Sequence, residues 1–250
     1  MAEETIISPR REKGEPLLPA IGLFCVNPGD ARYLGGRAEK MGASRYFLFN
    51  STLQVISGNS GSEGVFVAGP AVGAPMAVMT LEKLVALGAR KVIVYGWCGS
   101  LNPALRTGDL LLPTWGFSEE GTSSHYPIQG KAASSESLRG ELNRYLCSEG
   151  LASQEGPIWT TDAPYRETRA KVVSYAAKSI LGVDMEFSAL ATVASYRRID
   201  LAALFLVSDE LWHKSWQAGF KGKTFSAKNR RILAALLDKT IVKGGDDHGQ

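Results

Sequence analysis

The sequence predicts one α/β domain built around a central sheet. Three observations predict it. Short runs such as Ala20–Val26 (AIGLFCV) and Leu201–Val207 (LAALFLV) are apolar along their whole length, so both of their faces need cover. Such runs alternate with stretches of helical periodicity. No internal repeat, low-complexity linker or composition break divides the chain. The 250 residues are 44% hydrophobic and 21% charged, which excludes a disordered or fibrous chain and suits one domain with a sizeable core.

The elements follow in order. Residues 1–18 read as a mobile arm, 19–242 as the domain, and 243–250 (KGGDDHGQ, with its Lys) as a disordered tail by Gly and charge content. Ala20–Val26 is a buried strand ending in a turn at Asn27-Pro28-Gly29-Asp30. Residues 45–50 and 52–56 form a strand pair, and Val65–Ala68 another strand. Residues 72–87 are helical, with Met76, Met79, Leu84 and Leu87 near 3.6 spacing and Gly88 as the stop. Lys91–Tyr95 is a strand running into a loop, Gly96-Trp97-Cys98-Gly99-Ser100. Leu110–Leu112 is a short strand, and Ser134–Cys147 a helix capped by Ser134 or Ser135. Pro157–Thr161 is a strand, 164–178 and 185–197 are helices, Leu201–Val207 is a strand, and 227–241 is the closing helix.

The bulk chemistry excludes several functions. A formal charge of +3, from 28 Lys+Arg against 25 Asp+Glu and spread along the chain, gives no nucleic-acid footprint. No apolar run reaches the roughly 18–20 residues that span a bilayer, and the N-terminus lacks a signal-peptide core. Cys25, Cys98 and Cys147 form no CxxC pair, which fits a reduced cytoplasmic compartment. His125, His213 and His248 are too scattered for a zinc site, so no metal is expected.

Ligands of such sheets bind outside the carboxyl ends of strands. Three polar segments sit there: Pro28-Gly29-Asp30, Gly96–Ser100 and Ser208-Asp209-Glu210. Gly29 with nearby Arg32 suits an anion, or is plain turn chemistry. Trp97 stacks on a planar ligand or plugs the core. His125 and Tyr126 lie in a polar run that reads as a surface loop or a pocket wall. Asp184-Met185-Glu186 opens an amphipathic helix. Its acids answer the helix dipole, or one carboxylate accepts two sugar hydroxyls. Asp209 caps a helix, or is a partly buried acid able to donate a proton near neutral pH.

As a set, the pieces VNPGDARY, ASRYFLFN, KVIVYGWCGSLNPALRTGDLLLPT, EEGTSSHYP, TTDAPYRETR, VDMEFSALATVA and LFLVSDEL resemble the nucleoside phosphorylase family, over about residues 18–242. This superfamily holds purine phosphorylases, uridine phosphorylases and methylthioadenosine nucleosidases. The resemblance implies a single α/β domain whose twisted mixed sheet closes partly into a barrel flanked by helices. It implies dimer-based homo-oligomers, up to hexamers, and no organic cofactor. The reaction implied is cleavage of a nucleoside by phosphate to free base and pentose 1-phosphate.

The same resemblance implies roles residue by residue. Gly29, Arg32 and, across a dimer, Arg45 hold phosphate. Glu186 holds the ribose hydroxyls with Met185 packed on the sugar. Asp209 protonates a departing purine. Trp97, His125, Tyr126 and Arg166 belong to the substrate side, and Lys221 and Lys223 lie where purine enzymes place a basic helper of the acid. Departures accompany the match. Val94 stands where phosphorylases usually carry Arg, and Trp97 where they carry Ser or Thr. Arg32 comes one residue early, and no His precedes His125. A nucleosidase, with water for phosphate and Asp30 as its base, and a binding-only relative are the alternatives. The base is open between purine, which Asp209 favours, and uracil.

Overall fold

The computed structural model describes residues 5–49, 51–58 and 64–243. The five-residue strand β1 (Ile21–Cys25) is wholly buried and lies between two parallel neighbours, β4 (Val65–Gly69) and β5 (Lys91–Ser100). That placement accounts for its unbroken apolar run, because each face must meet helices. Phe24 joins the core beneath α2 (Ala74–Leu87) and α5 (Phe187–Arg197), whereas Leu23 and Cys25 join the opposite core with α1 (Pro28–Lys40), α3 (Glu136–Ser148) and α6 (Lys223–Lys243). The two-residue period of a strand thus sorts one segment between two helical layers.

One sheet contains every strand among the described residues, in the order β10-β9-β6-β7-β8-β5-β1-β4-β3-β2. The further strands are β2 (Ser44–Leu48), β3 (Ser51–Ile56), β6 (Leu110–Glu119), β7 (Ser153–Thr161), β8 (Gly182–Asp184), β9 (Asp200–Glu210) and β10 (Gln217–Ala218). β5 also pairs with β9, which closes β5, β9, β6, β7 and β8 into a ring. The result is a mixed α/β domain with a partly closed five-stranded barrel, as the resemblance implied. A third cluster, with Trp159, Val172, Tyr175 and Val183, packs α4 (Arg169–Ala176) against the barrel.

Several local expectations are corrected. Pro28-Gly29-Asp30 is the first turn of α1, with Pro at the start where its missing N–H costs nothing. Gly96–Ser100 continues β5, because β9 and β8 supply hydrogen-bond partners on both sides. β6 runs past Pro113 through a register shift between Pro113 and Gly116. The expected helix at 164–178 splits into a tight turn, Pro164–Arg166, and α4, which Thr168 caps. Ser135 is the cap of α3. Asp184 ends β8, and the helix begins only after Glu186.

The arm residues from Thr5 to Leu18 carry no helix or strand, and Lys83 Nζ donates to Arg10 O (2.7 Å) and Glu15 Oε2 (2.6 Å). Lys243 ends α6; the rest of the expected tail, with His248, and Asn50 of an expected strand lie outside the described residues. Among the described residues no helix is long and apolar enough to cross a membrane.

Gly116 sets how closely α5 approaches β6: a Cβ there would lie 2.8 Å from the Ser188 Cα. The obstacle is backbone and cannot swing away. Gly116→Ala should therefore destabilise the fold by about 1–3 kcal/mol, read as a lowered urea midpoint at unchanged slope. A midpoint equal to that of the wild type would contradict this packing.

Candidate active site

A cavity of about 680 Å³ opens at the carboxyl ends of β1, β5, β8 and β9. Asn27, Trp97, Glu186 and Asp209 reach it from four different elements. Two of the three polar segments expected to converge, at Gly96–Ser100 and Ser208–Glu210, do meet there, whereas from the first only Asn27, the residue before Pro28, lines the wall.

Asp209 owes its aim to a bulge. β5 and β9 run in register from Lys91↔Asp200 to Cys98↔Val207, then resume at Gly99↔Asp209. Ser208 is the extra residue, and an extra residue breaks the alternation of faces. Ser208 Oγ lies 3.2 Å from Cys98 O and 2.6 Å from Asp209 Oδ1. Trp216 Nε1 donates to Asp209 Oδ2 at 2.7 Å. Both carboxylate oxygens of Asp209 are thus engaged by neighbours.

Glu186 reaches the opposite wall from the start of α5. Its Oε1 accepts from Gly73 N at 2.6 Å, ahead of α2. Beneath it, Asp184 Oδ2 accepts from Glu186 N (3.0 Å) and Phe187 N (2.6 Å), while Oδ1 accepts from Thr160 Oγ1 (2.6 Å). Burial pushes both carboxyls up, and the charge of Asp184 pushes Glu186 further. Ser188 ties this layer to a deeper one. Its N–H meets Thr160 Oγ1, and its Oγ donates to Glu120 Oε1 at 2.9 Å. Burial raises the Glu120 carboxyl, but donors from Ser123, Ser118 and Ser188 more than offset it and hold it low.

The chain brings Trp97, Met185, Glu186 and Asp209 together around this cavity. Trp97 forms part of the wall, stacked against Phe220 and set edge-on to Phe225, so it both packs the core and faces the hollow. The other expected site residues lie elsewhere in the single chain. Gly29 and Arg32 are exposed on the first turns of α1. Arg45 sits on β2 near the far edge of the sheet, 3.5 Å from Glu39. His125 and Tyr126 line a second hollow with Met79, Tyr196 and Arg197. Arg166 is exposed on the Pro164–Arg166 turn, and the next residue, Glu167, takes the place on the cavity wall.

Glu167, Lys214 and Trp216 are cavity residues that the sequence reading did not assign; Arg169, which with Arg166 offers a further donor for phosphate, also lines the cavity. Arg169 is committed to the chain itself, donating to Leu211 O (3.0 Å) and to His213 O. Val94 is fully buried in the apolar core. Asp30 is 3% exposed and accepts from Asn229 Nδ2 (2.6 Å) and Asn27 Nδ2 (3.4 Å). Burial raises its carboxyl, but as a fixture between α1 and α6 it is no free base for a water molecule.

Burial, then the charge of Asp209, pushes the Glu167 carboxyl from 4.5 to about 7. The folded state therefore keeps a proton that the unfolded chain releases between those values. Stability from this group is full below about 4.5 and is lost as pH rises through about 7. Glu167→Gln never ionises, so its stability relative to wild type should rise across that window and level off above it. Thermal melts from about pH 4 to 8 would show this; a constant difference would refute it.

Comparison with known proteins follows the same geometry. A family model described as the phosphorylase superfamily matches residues 20–241. A guanosine phosphorylase of Halorubrum lacusprofundi is 23% identical over 189 residues, 75% of this chain and 78% of that protein. A uridine phosphorylase of Treponema pallidum is 25% identical over 201 residues, 75% of this chain and 77% of its own length. Among solved structures, the purine nucleoside phosphorylase of Toxoplasma gondii in complex with immucillin-H shares the fold with a TM-score of 0.80 and 19% identity, covering 98% of this chain and 99% of that one. A uridine phosphorylase of Vibrio fischeri shares it with a TM-score of 0.70 and 19% identity, covering 91% and 90%.

Proposed function

The chain belongs to the phosphorylase superfamily, and from that premise we propose that it is a nucleoside phosphorylase. It cleaves the N-glycosidic bond of a nucleoside with phosphate, releasing free base and pentose 1-phosphate. One observation carries this reading: Glu186 and Asp209 line the same cavity from different elements. A sugar fits between a carboxyl that binds its hydroxyls and an acid that meets its base. The relatives named for guanosine and uridine cleavage support the same chemistry.

Cleavage builds positive charge on the sugar and negative charge on the base. Glu186 accepts from the ribose 2′ and 3′ hydroxyls, and Met185 packs against the sugar. The N–H of Gly73, now on Glu186, is the contact that a bound sugar reorganises. Asp209 donates the proton that a departing purine needs at N7, which favours purine over uridine. For that step a proton must replace one of the donors, Ser208 or Trp216, that now hold its oxygens. Trp97 offers a ring face to the base. Gly29 and Arg32, with Arg45 from a second copy in a dimer-based oligomer, hold phosphate, and His125 and Tyr126 complete the substrate side of a neighbour. The reading needs no metal or organic cofactor, and a cytoplasmic setting belongs with it.

Val94, where the family usually carries an Arg that binds phosphate, and the bulky Trp97, where it carries Ser or Thr, favour a second reading, hydrolysis. Asp30 is tied to Asn229, which removes the base that this reading would use.

Incubation of a nucleoside panel with and without phosphate separates the readings. Base release should require phosphate and yield pentose 1-phosphate; release indifferent to phosphate would replace phosphorolysis with hydrolysis. On inosine, Asp209→Asn should lower kcat by about 10²–10⁴. Glu186→Gln should lower kcat/KM on ribosides far more than on the 2′-deoxy forms. Wild-type rates in both variants would remove these residues from the mechanism.

A further inference from the structure

Resting on the reading of Glu186 as the group that holds ribose, we propose that Glu120 is a positioning residue for it. Glu120 stands one layer behind the cavity and sets the first turn of α5, and with it Glu186, through the Ser188 hydroxyl.

Glu120 is 6% exposed and follows the last residue of β6. A carboxyl so buried is costly unless donors meet it. Its Oε1 accepts from Ser118 Oγ (2.7 Å), Ser188 Oγ (2.9 Å) and Ser123 Oγ, and its Oε2 accepts from Ser123 N (3.0 Å). Burial raises the carboxyl, and these donors more than offset it. The charge therefore stays, and hydrogen bonds to a charged acceptor are the strong ones.

Ser118 and Ser123 are near neighbours of Glu120 in the chain. Ser188 is not: it comes 68 residues later, fully buried and two places after Glu186. Its N–H goes to Thr160 Oγ1 (3.0 Å), which donates in turn to Asp184 Oδ1 (2.6 Å). Asp184 Oδ2 takes the N–H groups of Glu186 and Phe187. Two buried carboxyls thus hold one helical turn, Asp184 by its backbone and Glu120 by a side chain. Bonds to two successive N–H groups leave the turn free to roll about them, and the anchor at Ser188 removes that freedom. Gly116 lets β6 come close enough for the anchor to form.

The cavity needs that stiffness. Glu186 is the N-cap residue of α5, yet its side chain makes no cap bond within its own helix and instead meets Gly73 N (2.6 Å). To hold two adjacent hydroxyls it must present its carboxyl at one angle. A small roll of the turn lengthens both bonds at once. Glu120 touches no substrate, so its effect is confined to what Glu186 recognises, the ribose diol.

Calorimetric titration without phosphate, with inosine against 2′-deoxyinosine and uridine against 2′-deoxyuridine, tests the assignment. Wild type should bind the riboside of at least one pair about tenfold more tightly than its 2′-deoxy form, the worth of one hydrogen bond to a charged group. Glu120→Ala and Ser188→Ala should each bring that ratio to within about twofold, and the double variant should lose no more than either alone, because both cut one link. Ser118→Ala removes a donor from Glu120 but leaves the link, so it should keep the wild-type ratio. Ser188→Ala deletes a single hydroxyl and decides the matter if Glu120→Ala fails to fold. An unchanged ratio in Ser188→Ala, an equal loss for riboside and 2′-deoxy form, or a wild type without ribose preference would each overturn it. Turnover keeps the two claims apart. The expected ratios without nucleoside cleavage sink the proposed function and support Glu120; phosphate-dependent cleavage with the ratio unchanged in both variants does the reverse.

Discussion

The site depends on one constraint: carboxyl groups buried at the junction of β8 and α5 must be met by donors. Asp184 is buried, and an unpaired buried charge is prohibitive. Thr160, the Glu186 N–H and the Phe187 N–H answer it. Those bonds fix the first turn of α5 and so fix where Glu186 can point. Ser188 extends the same network to Glu120, which Ser118 and Ser123 also bind. In such a network each member orients the next, so the sugar side of the cavity is held by polar geometry more than by apolar packing.

The opposite wall is built by strand irregularity. Without Ser208 as an extra residue, β9 would continue its register with β5 and present a different face to the cavity. With it, Asp209 faces inward, within reach of Trp216. The floor between the walls differs in kind from a polar anion cradle. Trp97 carries a ring against Phe220 and Phe225, and Val94 is core. The chain presents carboxyls, aromatic rings, Lys214 and the committed Arg169 to a ligand, while Arg32 and Arg45 lie outside the cavity.

The legible parts of the fold were those that local chemistry dictates. An apolar run such as LAALFLV reports two-sided burial wherever it sits, and Gly88 at φ 122° and Ser135 at the head of α3 act within one turn of chain. The lost parts were those decided by partners distant in sequence. Gly96–Ser100 looks like a loop by composition, yet β8 and β9 make it strand. β8 and β10 are too short to carry a pattern of their own. For the site, Glu186, Met185, Trp97 and Asp209 were visible because each sits in a recognisable string. Glu167 was passed over for its neighbour Arg166 in the string TTDAPYRETR, and Trp216 was not visible because nothing near it in sequence marks it as a cavity residue.

By itself, the sequence determined the two-layered cover of a largely buried sheet, the order of its main elements and the superfamily to which the chain belongs. Those follow from periodicity, breakers and short strings, which are properties of neighbouring residues. Only the tertiary structure decided that the sheet closes through β5 and β9, that Asp30 is bound to Asn229, and that an unpartnered Glu167 stands beside Asp209. Those depend on hydrogen bonds and charges between segments that meet only when the chain has folded, and local propensity carries no record of them.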